Sequence, residues 1–172
     1  MASGAWCACR LRPYKTVASG AIRCEVPREW DFLPGGDLLL KARSPDAIHG
    51  IFATFGVNPS EVREREGLVG LMLYTQRLYA NDPNFSQEEL RRIPIAGVDG
   101  WLIGWTRSKS GPSFHPPPPP PDGYATVKLR EAEIYFTSGG KGYWASFKAP
   151  VELFEKYRPA YEHFLTSLKI SP

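Results

Sequence analysis

Apolar and polar residues alternate along several short stretches of this chain. In "AIRCEV", Ile22, Cys24 and Val26 share one side while Arg23 and Glu25 take the other, directly after Ser19-Gly20, which predicts a half-buried strand. "WDFLPGGDLLLKA" reads as two short extended pieces around Pro34-Gly35-Gly36-Asp37, a turn whose glycines tolerate positive φ. "HGIFATFGV" sets Ile51, Ala53, Phe55 and Val57 against Phe52 and Thr54, a strand begun by His49 and apolar enough for a sheet interior. "ELRRIPIAGVDGWLIGWTRS" predicts a hairpin: Leu90 to Ile95, a turn through Gly97-Val98-Asp99-Gly100, then Trp101 to Arg107. Pro94 cannot donate to a ladder, so it belongs on an edge or at the end of its strand. In "ATVKLREAEIYFT" the apolar positions slip from Val127 and Leu129 to Ile134 and Phe136, which predicts a bulge near Glu131-Ala132. Ser138 to Gly142 then closes a second hairpin, and "YWASFKA" returns.

Helical spacing replaces alternation twice. At Asn58-Pro59-Ser60-Glu61 a cap residue, a first-turn proline and a Glu three residues after the cap coincide, so a helix is expected from there to Asn81-Asp82-Pro83. Its core stripe is either Val62, Val69, Met72 and Leu73, or Leu68, Met72 and Tyr79; Gly67 and Gly70 cost it about 1 kcal/mol each relative to Ala. At the end of the chain, Phe154, Tyr157, Tyr161, Phe164, Leu165 and Leu168 recur at three- and four-residue steps and form one apolar stripe. Pro150 suits the first turn of that helix, whereas Pro159 predicts a kink or a break before a second helix starting at Arg158.

Length and composition fit one domain: 172 residues, 42% apolar and 13% aromatic, supply a sizeable core. Residues 1–13 read as a loose segment and 14–172 as the domain. A net charge of +3, with both signs interspersed, argues against nucleic acid as a partner. No window of eighteen apolar residues exists, so no transmembrane segment is expected. The start "MASGAWCACRLRP" lacks the charged and apolar regions of an export signal. As written, the chain reads as cytoplasmic; a longer natural N-terminus would allow the cell envelope.

"SGPSFHPPPPPPDGYAT" has predicted strands on both sides. Polyproline has no internal hydrogen bonds, so between neighbouring strands it reads as an exposed loop insertion at 108–124. Such a segment can also dock in an aromatic groove, although any six prolines contain the P-x-x-P pattern.

The order of elements resembles the Mog1/PsbP-like fold group over residues 14 to 170. The resemblance is carried by "VPREWDF", "GVDGWLIGW" and "GKGYWASFKAPVELFEKYRPAYEHFLTSL". It implies an α+β fold: a single-domain α/β/α sandwich with a mostly antiparallel central sheet and helices packed on it. Members of the group include a Ran-binding nuclear transport factor, photosystem II extrinsic proteins, bacterial envelope lipoproteins and chaperones of secreted effectors. They bind partners and share no catalytic site, so no functional residue carries over.

Candidate chemistry is sparse. Cys7-x-Cys9 stands without a downstream ligand cluster, and His49, His115 and His163 have no second ligand at helical spacing, so neither metal nor cofactor is expected. Cys24 shares its face with Ile22 and Val26 and reads as an inert core thiol. Gly139-Gly140-Lys141-Gly142 leads into a strand, so it reads as a turn and not as a phosphate cradle. Glu131 and Glu133 would share one side of a strand beside Lys128 and Arg130, as a solvated sheet face. Aromatic residues occupy both parities of neighbouring strands, and one set is either helix-covered or a binding surface.

The function expected is a non-enzymatic protein-binding, assembly or chaperone-like accessory role. Its contact residues would be Phe114, His115, Pro116, Pro117 and Tyr124 of the loop, with Trp105 and Tyr143. The alternatives are a carrier of a small hydrophobic ligand and a small hydrolase whose site is assembled from distant residues.

Overall fold

The structure is a computed structural model and describes residues 13–33, 39–62, 65–88, 90–110 and 126–171. Two strands open the chain, β1 (Tyr14–Ser19) and β2 (Ile22–Pro27), and they pair as a hairpin. Next come β3 (Asp31–Phe32), β4 (Leu40–Ile48), β5 (Ile51–Pro59) and the helix α1 (Arg65–Leu78). They are followed by β6 (Ser86–Gln87), β7 (Arg91–Ile95), β8 (Val98–Ser110), β9 (Thr126–Ser138) and β10 (Lys141–Pro150). The helix α2 (Val151–Ser167) and β11 (Lys169–Ile170) close the chain.

Every described pairing is antiparallel. One sheet runs β1-β2-β11; the large sheet runs β3-β4-β5-β10-β9-β8-β6, with β7 also on the outer edge of β8. Pro94 therefore lies in an edge strand, opposite Asp99, where its missing N–H leaves no ladder bond broken. Two-residue turns join the longest hairpins. Ala96-Gly97 links β7 to β8 and Gly139-Gly140 links β9 to β10, all four with positive φ, the geometry that matches strand twist.

Three expectations are corrected. The capping signals at Asn58 do not start a helix: Asn58 and Pro59 pair with Trp144 and Tyr143, so β5 runs on and α1 begins at Arg65. Pairing along β10 outweighs a local cap worth about 1 kcal/mol. His49 does not begin a strand either; with φ of 49° it forms the β4–β5 turn together with Gly50. Finally, β9 carries no bulge, because its register with both β8 and β10 is unbroken. Its apolar residues change parity because both faces are covered.

One face of the large sheet, together with the small sheet, packs against α2. Trp30 of "VPREWDF" is fully buried there, stacked 4.2 Å from Phe55 and edge-on at 5.0 Å to Tyr157. Phe147 adds a 4.3 Å stack on Phe154, and Phe164 stacks on Phe55 at 5.1 Å. Each such pair contributes about 1 kcal/mol beyond its burial. The predicted stripe of α2 is buried except for the partly buried Leu165, but the helix is continuous through Pro159 and does not restart at Arg158. Packing on both sides of the proline holds the two turns in line.

On the opposite face α1 covers Ile103, Trp105 and Tyr135 with Leu68, while Met72 adds a partly buried contact. The stripe through Leu68 and Met72 is thus the inward one, and Val69 and Leu73 point outward. No described helix is long and apolar enough to cross a membrane.

Candidate functional site

Among the described residues, α1 covers only part of the width of its side of the large sheet. Register fixes what faces outward on the remainder. Thr54, Lys148 and Glu131 are partners in one row across β5, β10 and β9, and Gly56, Ser146 and Glu133 form the next row. On β8, Trp105 stands opposite Glu131 and Ile103 opposite Glu133, so both carboxylates border the apolar cluster under α1.

Glu131 is 2% exposed and Glu133 4%, so neither belongs to a solvated face. Burying two carboxylates side by side is costly unless each is paired. Lys148 Nζ lies 2.9 Å from Glu131 Oε2 and 3.3 Å from Glu133 Oε1. Arg107 donates from Nε to Glu131 Oε1 at 2.8 Å, with Nη2 2.5 Å from the same oxygen. The Tyr135 hydroxyl donates to Glu133 Oε2 at 2.8 Å.

The two acids separate in strength. Burial pushes Glu131 up, but Lys148 and Arg107 more than undo this and leave it below the usual carboxylate range. Burial dominates at Glu133 despite Lys148 and Tyr135, and leaves it above that range. Burial alone would lower Lys148, and the two glutamates raise it. The Tyr135 phenol is pushed up by burial and then by Glu133.

Around this centre the sheet is open and basic. Lys41, Arg107, Lys109 and Lys148 line a cleft of about 190 Å³ with Thr54 and Phe52. Arg43, two residues beyond Lys41, stacks over Phe52 at 4.5 Å and pairs with Asp31 at 2.9 Å. On the other flank, α1 turns Val69, Leu73, Tyr74 and Leu78 to solvent, the last three at least half exposed. The helix thus has apolar residues on both its inner and its outer face.

Of the contact residues expected from sequence, Trp105 lies under α1 and Tyr143 in the α2 core, each 7% exposed, so neither offers a free ring. Phe114, His115, Pro116, Pro117 and Tyr124 lie outside the described residues. The strands flanking them pair to their ends, Ser110 against Thr126. Cys24 is buried, and its thiol is pushed up to about 12, first by burial and then by Glu25. His163 is 2.6 Å from Glu25 and stacks on Tyr14 at 3.8 Å, away from the ionic centre.

Sequence reasoning passed over Lys148, Arg107 and the burial of both glutamates. A usable signal was present: Glu131 and Glu133 share their parity with Val127, Leu129 and Tyr135, an apolar company for a solvated face.

No protein-family model matches the chain, and no curated protein does. Solved structures do. LpqN of Mycobacterium tuberculosis, described as involved in cell envelope biogenesis, aligns over 92% of this chain and 91% of its own, with a TM-score of 0.57 and 14% identity. Cyanobacterial PsbP (CyanoP) of Synechocystis sp. PCC 6803 aligns over 98% and 99%, with a TM-score of 0.51 and 7% identity. With its antiparallel sheet between α1 and α2, the chain has the Mog1/PsbP-like fold.

Proposed function

We propose that this is an accessory protein that binds another protein without catalysis of its own, and that the partner docks on the outer face of α1. The observation that carries this reading is the exposure of Leu73, Tyr74 and Leu78 on a helix whose inner face is already buried by Leu68. Apolar residues on two faces of a helix call for cover on both, and among the described residues only the inner face of α1 is covered. The neighbouring sheet carries Lys41, Arg43, Arg107 and Lys109, so the fitting partner segment presents apolar side chains flanked by acidic ones. Likeness in fold to an envelope biogenesis protein is compatible with an accessory role. In this reading the segment that follows β8, with Phe114, His115, Pro116, Pro117 and Tyr124, supplies a second contact.

The test is affinity capture with the full chain, with Leu73→Glu, and with residues 112–121 deleted, alongside sedimentation of each. A specific partner held by the full chain and lost with Leu73→Glu, at unchanged thermal stability, supports α1 docking. Retention of that partner by Leu73→Glu overturns it, as does self-association that the same substitution abolishes. Loss only on deletion of 112–121 moves the contact to the loop.

A further inference from the structure

An unpaired strand edge is a template for another strand, and among the described residues most edges of this fold are blocked. In the large sheet β3 is two residues long, and β4 behind it carries Pro45 and a break in register between Arg43 and Ala47. At the opposite edge β6 also has two residues, and β7 carries Pro94. Because Ile95 and Val98 flank a two-residue turn, the missing N–H of Pro94 is one that would have pointed outward. In the small sheet β11 again has two residues. The strand β1 differs: it has six regular residues without proline, and no described strand pairs with its outer edge.

The hairpin fixes which backbone groups that edge presents. Ser19 and Ile22 flank the Gly20-Ala21 turn, so Lys15, Val17 and Ser19 bond across to β2. Tyr14, Thr16 and Ala18 therefore turn their N–H and C=O groups outward. The bond from Arg28 N–H to the Pro13 carbonyl, at 2.9 Å, keeps the same alternation and holds the start of β1 in line with β2. Thr16 and Ala18 are exposed, and Tyr14 is half-buried in its stack on His163. Lys15 is the one charge in the strand. Its ammonium donates to the carbonyl of Trp30, which follows β2, so it is held away from the open edge.

We propose that β1 pairs antiparallel with β1 of a second copy of this chain, about a two-fold axis at Thr16. A second copy fits because the strand is complementary to itself. With Thr16 opposite its own counterpart, Tyr14 stands opposite Ala18 and Lys15 opposite Val17, so large meets small and no like charges face each other. The outward groups of Tyr14, Thr16 and Ala18 then make about six N–H···O bonds, and the three-stranded sheets of both copies merge into one. A two-fold contact uses up both edges and stops at the dimer. One strand pair buries less than a standard interface, so the dimer is weak, with a Kd on the order of 100 µM. The small sheet lies on the α2 side of the fold, so Leu73→Glu on α1 leaves this contact intact.

The experiment is sedimentation equilibrium of the full chain at concentrations from about 10 µM to about 1 mM, on both sides of the expected Kd. A monomer–dimer equilibrium is expected, equal in the parent and in Leu73→Glu. Thr16→Pro removes the central outward donor while sparing the ladder to β2, as Pro94 does in β7, and weakens the dimer about tenfold. Thr16→Lys and Thr16→Glu each set like charges across the axis and weaken it about fivefold, whereas an equimolar mixture of the two regains the dimer. Thermal unfolding of each variant reports its folding. A chain that stays monomeric throughout, a dimer unchanged in Thr16→Pro, a mixture that regains nothing, or assembly that continues past the dimer overturns the pairing. Dimerisation lost in Leu73→Glu and kept in Thr16→Pro overturns it as well, and assigns self-association to α1.

Discussion

Lys148 and Glu131 face each other on adjacent strands, Nζ 2.9 Å from Oε2, and the same ammonium reaches Glu133 at 3.3 Å. Lys148 thus bridges two carboxylates that are almost wholly out of water, with Arg107 supplying the second positive charge at Glu131. Lys148→Met should therefore cost about 3 kcal/mol, the low end for a buried pair because Lys148 is itself over a third exposed. Urea denaturation measures it. Adding Glu131→Gln and Glu133→Gln to Lys148→Met should recover most of the loss, and a triple variant no more stable than Lys148→Met would contradict the ionic account.

The two glutamates should respond to pH in opposite senses. Glu131 is held low by Lys148 and Arg107, so its contribution is fully present above the unfolded value near 4.5 and is lost as pH falls through the folded one. Glu133 is held high by burial, so the folded state binds its proton more readily, and stability falls as pH rises from about 4.5 through the folded value. Glu131→Gln should destabilise at pH 7 and approach the parent at pH 3. Glu133→Gln should be neutral or stabilising at pH 7, with its advantage shrinking as the pH falls. Denaturation midpoints at the two pH values separate the cases.

The hydroxyl of Tyr161, a residue of α2, is buried without a hydrogen-bond partner among the described residues. Removing an unsatisfied hydroxyl removes its desolvation cost, so Tyr161→Phe should stabilise by about 1 kcal/mol. A melting temperature that drops instead would mean that the hydroxyl has a bridging water.

Pro159 stands inside a continuous helix, where a proline costs about 3 kcal/mol through its missing N–H and its ring. Restricting the unfolded chain offsets up to about 1 kcal/mol of that. Pro159→Ala should stabilise by about 2 kcal/mol in thermal or urea unfolding, and no gain would show that α2 already relaxes around the ring.

Much of the fold was legible because local alternation and local turns carry it. Ile22, Cys24 and Val26 point inward as read, the Gly139-Gly140 hairpin closes where expected, and the α2 stripe from Phe154 to Leu168 is the core. What was not legible depends on strands far apart in sequence. Asn58 looks like a cap until Trp144 pairs with it 86 positions later. The site was the least legible part, because Glu131 became an interior residue only when β8 and β10 brought Arg107 and Lys148 to its face.

Most neighbouring strands of the large sheet are close in sequence, but the pair β5 and β10 is not: Pro59 meets Tyr143 and Thr54 meets Lys148 across more than 80 residues. This seam has a kinetic meaning. Hairpins such as β4–β5 and β9–β10 close short loops and can form early, whereas joining them must bring distant segments together and is the slower event. The β9–β10 hairpin can bring Lys148 to its glutamates early, while the chain is still wet. The last joining then covers carboxylates that Lys148 already faces, so the costly dehydration falls on paired and not on bare ions.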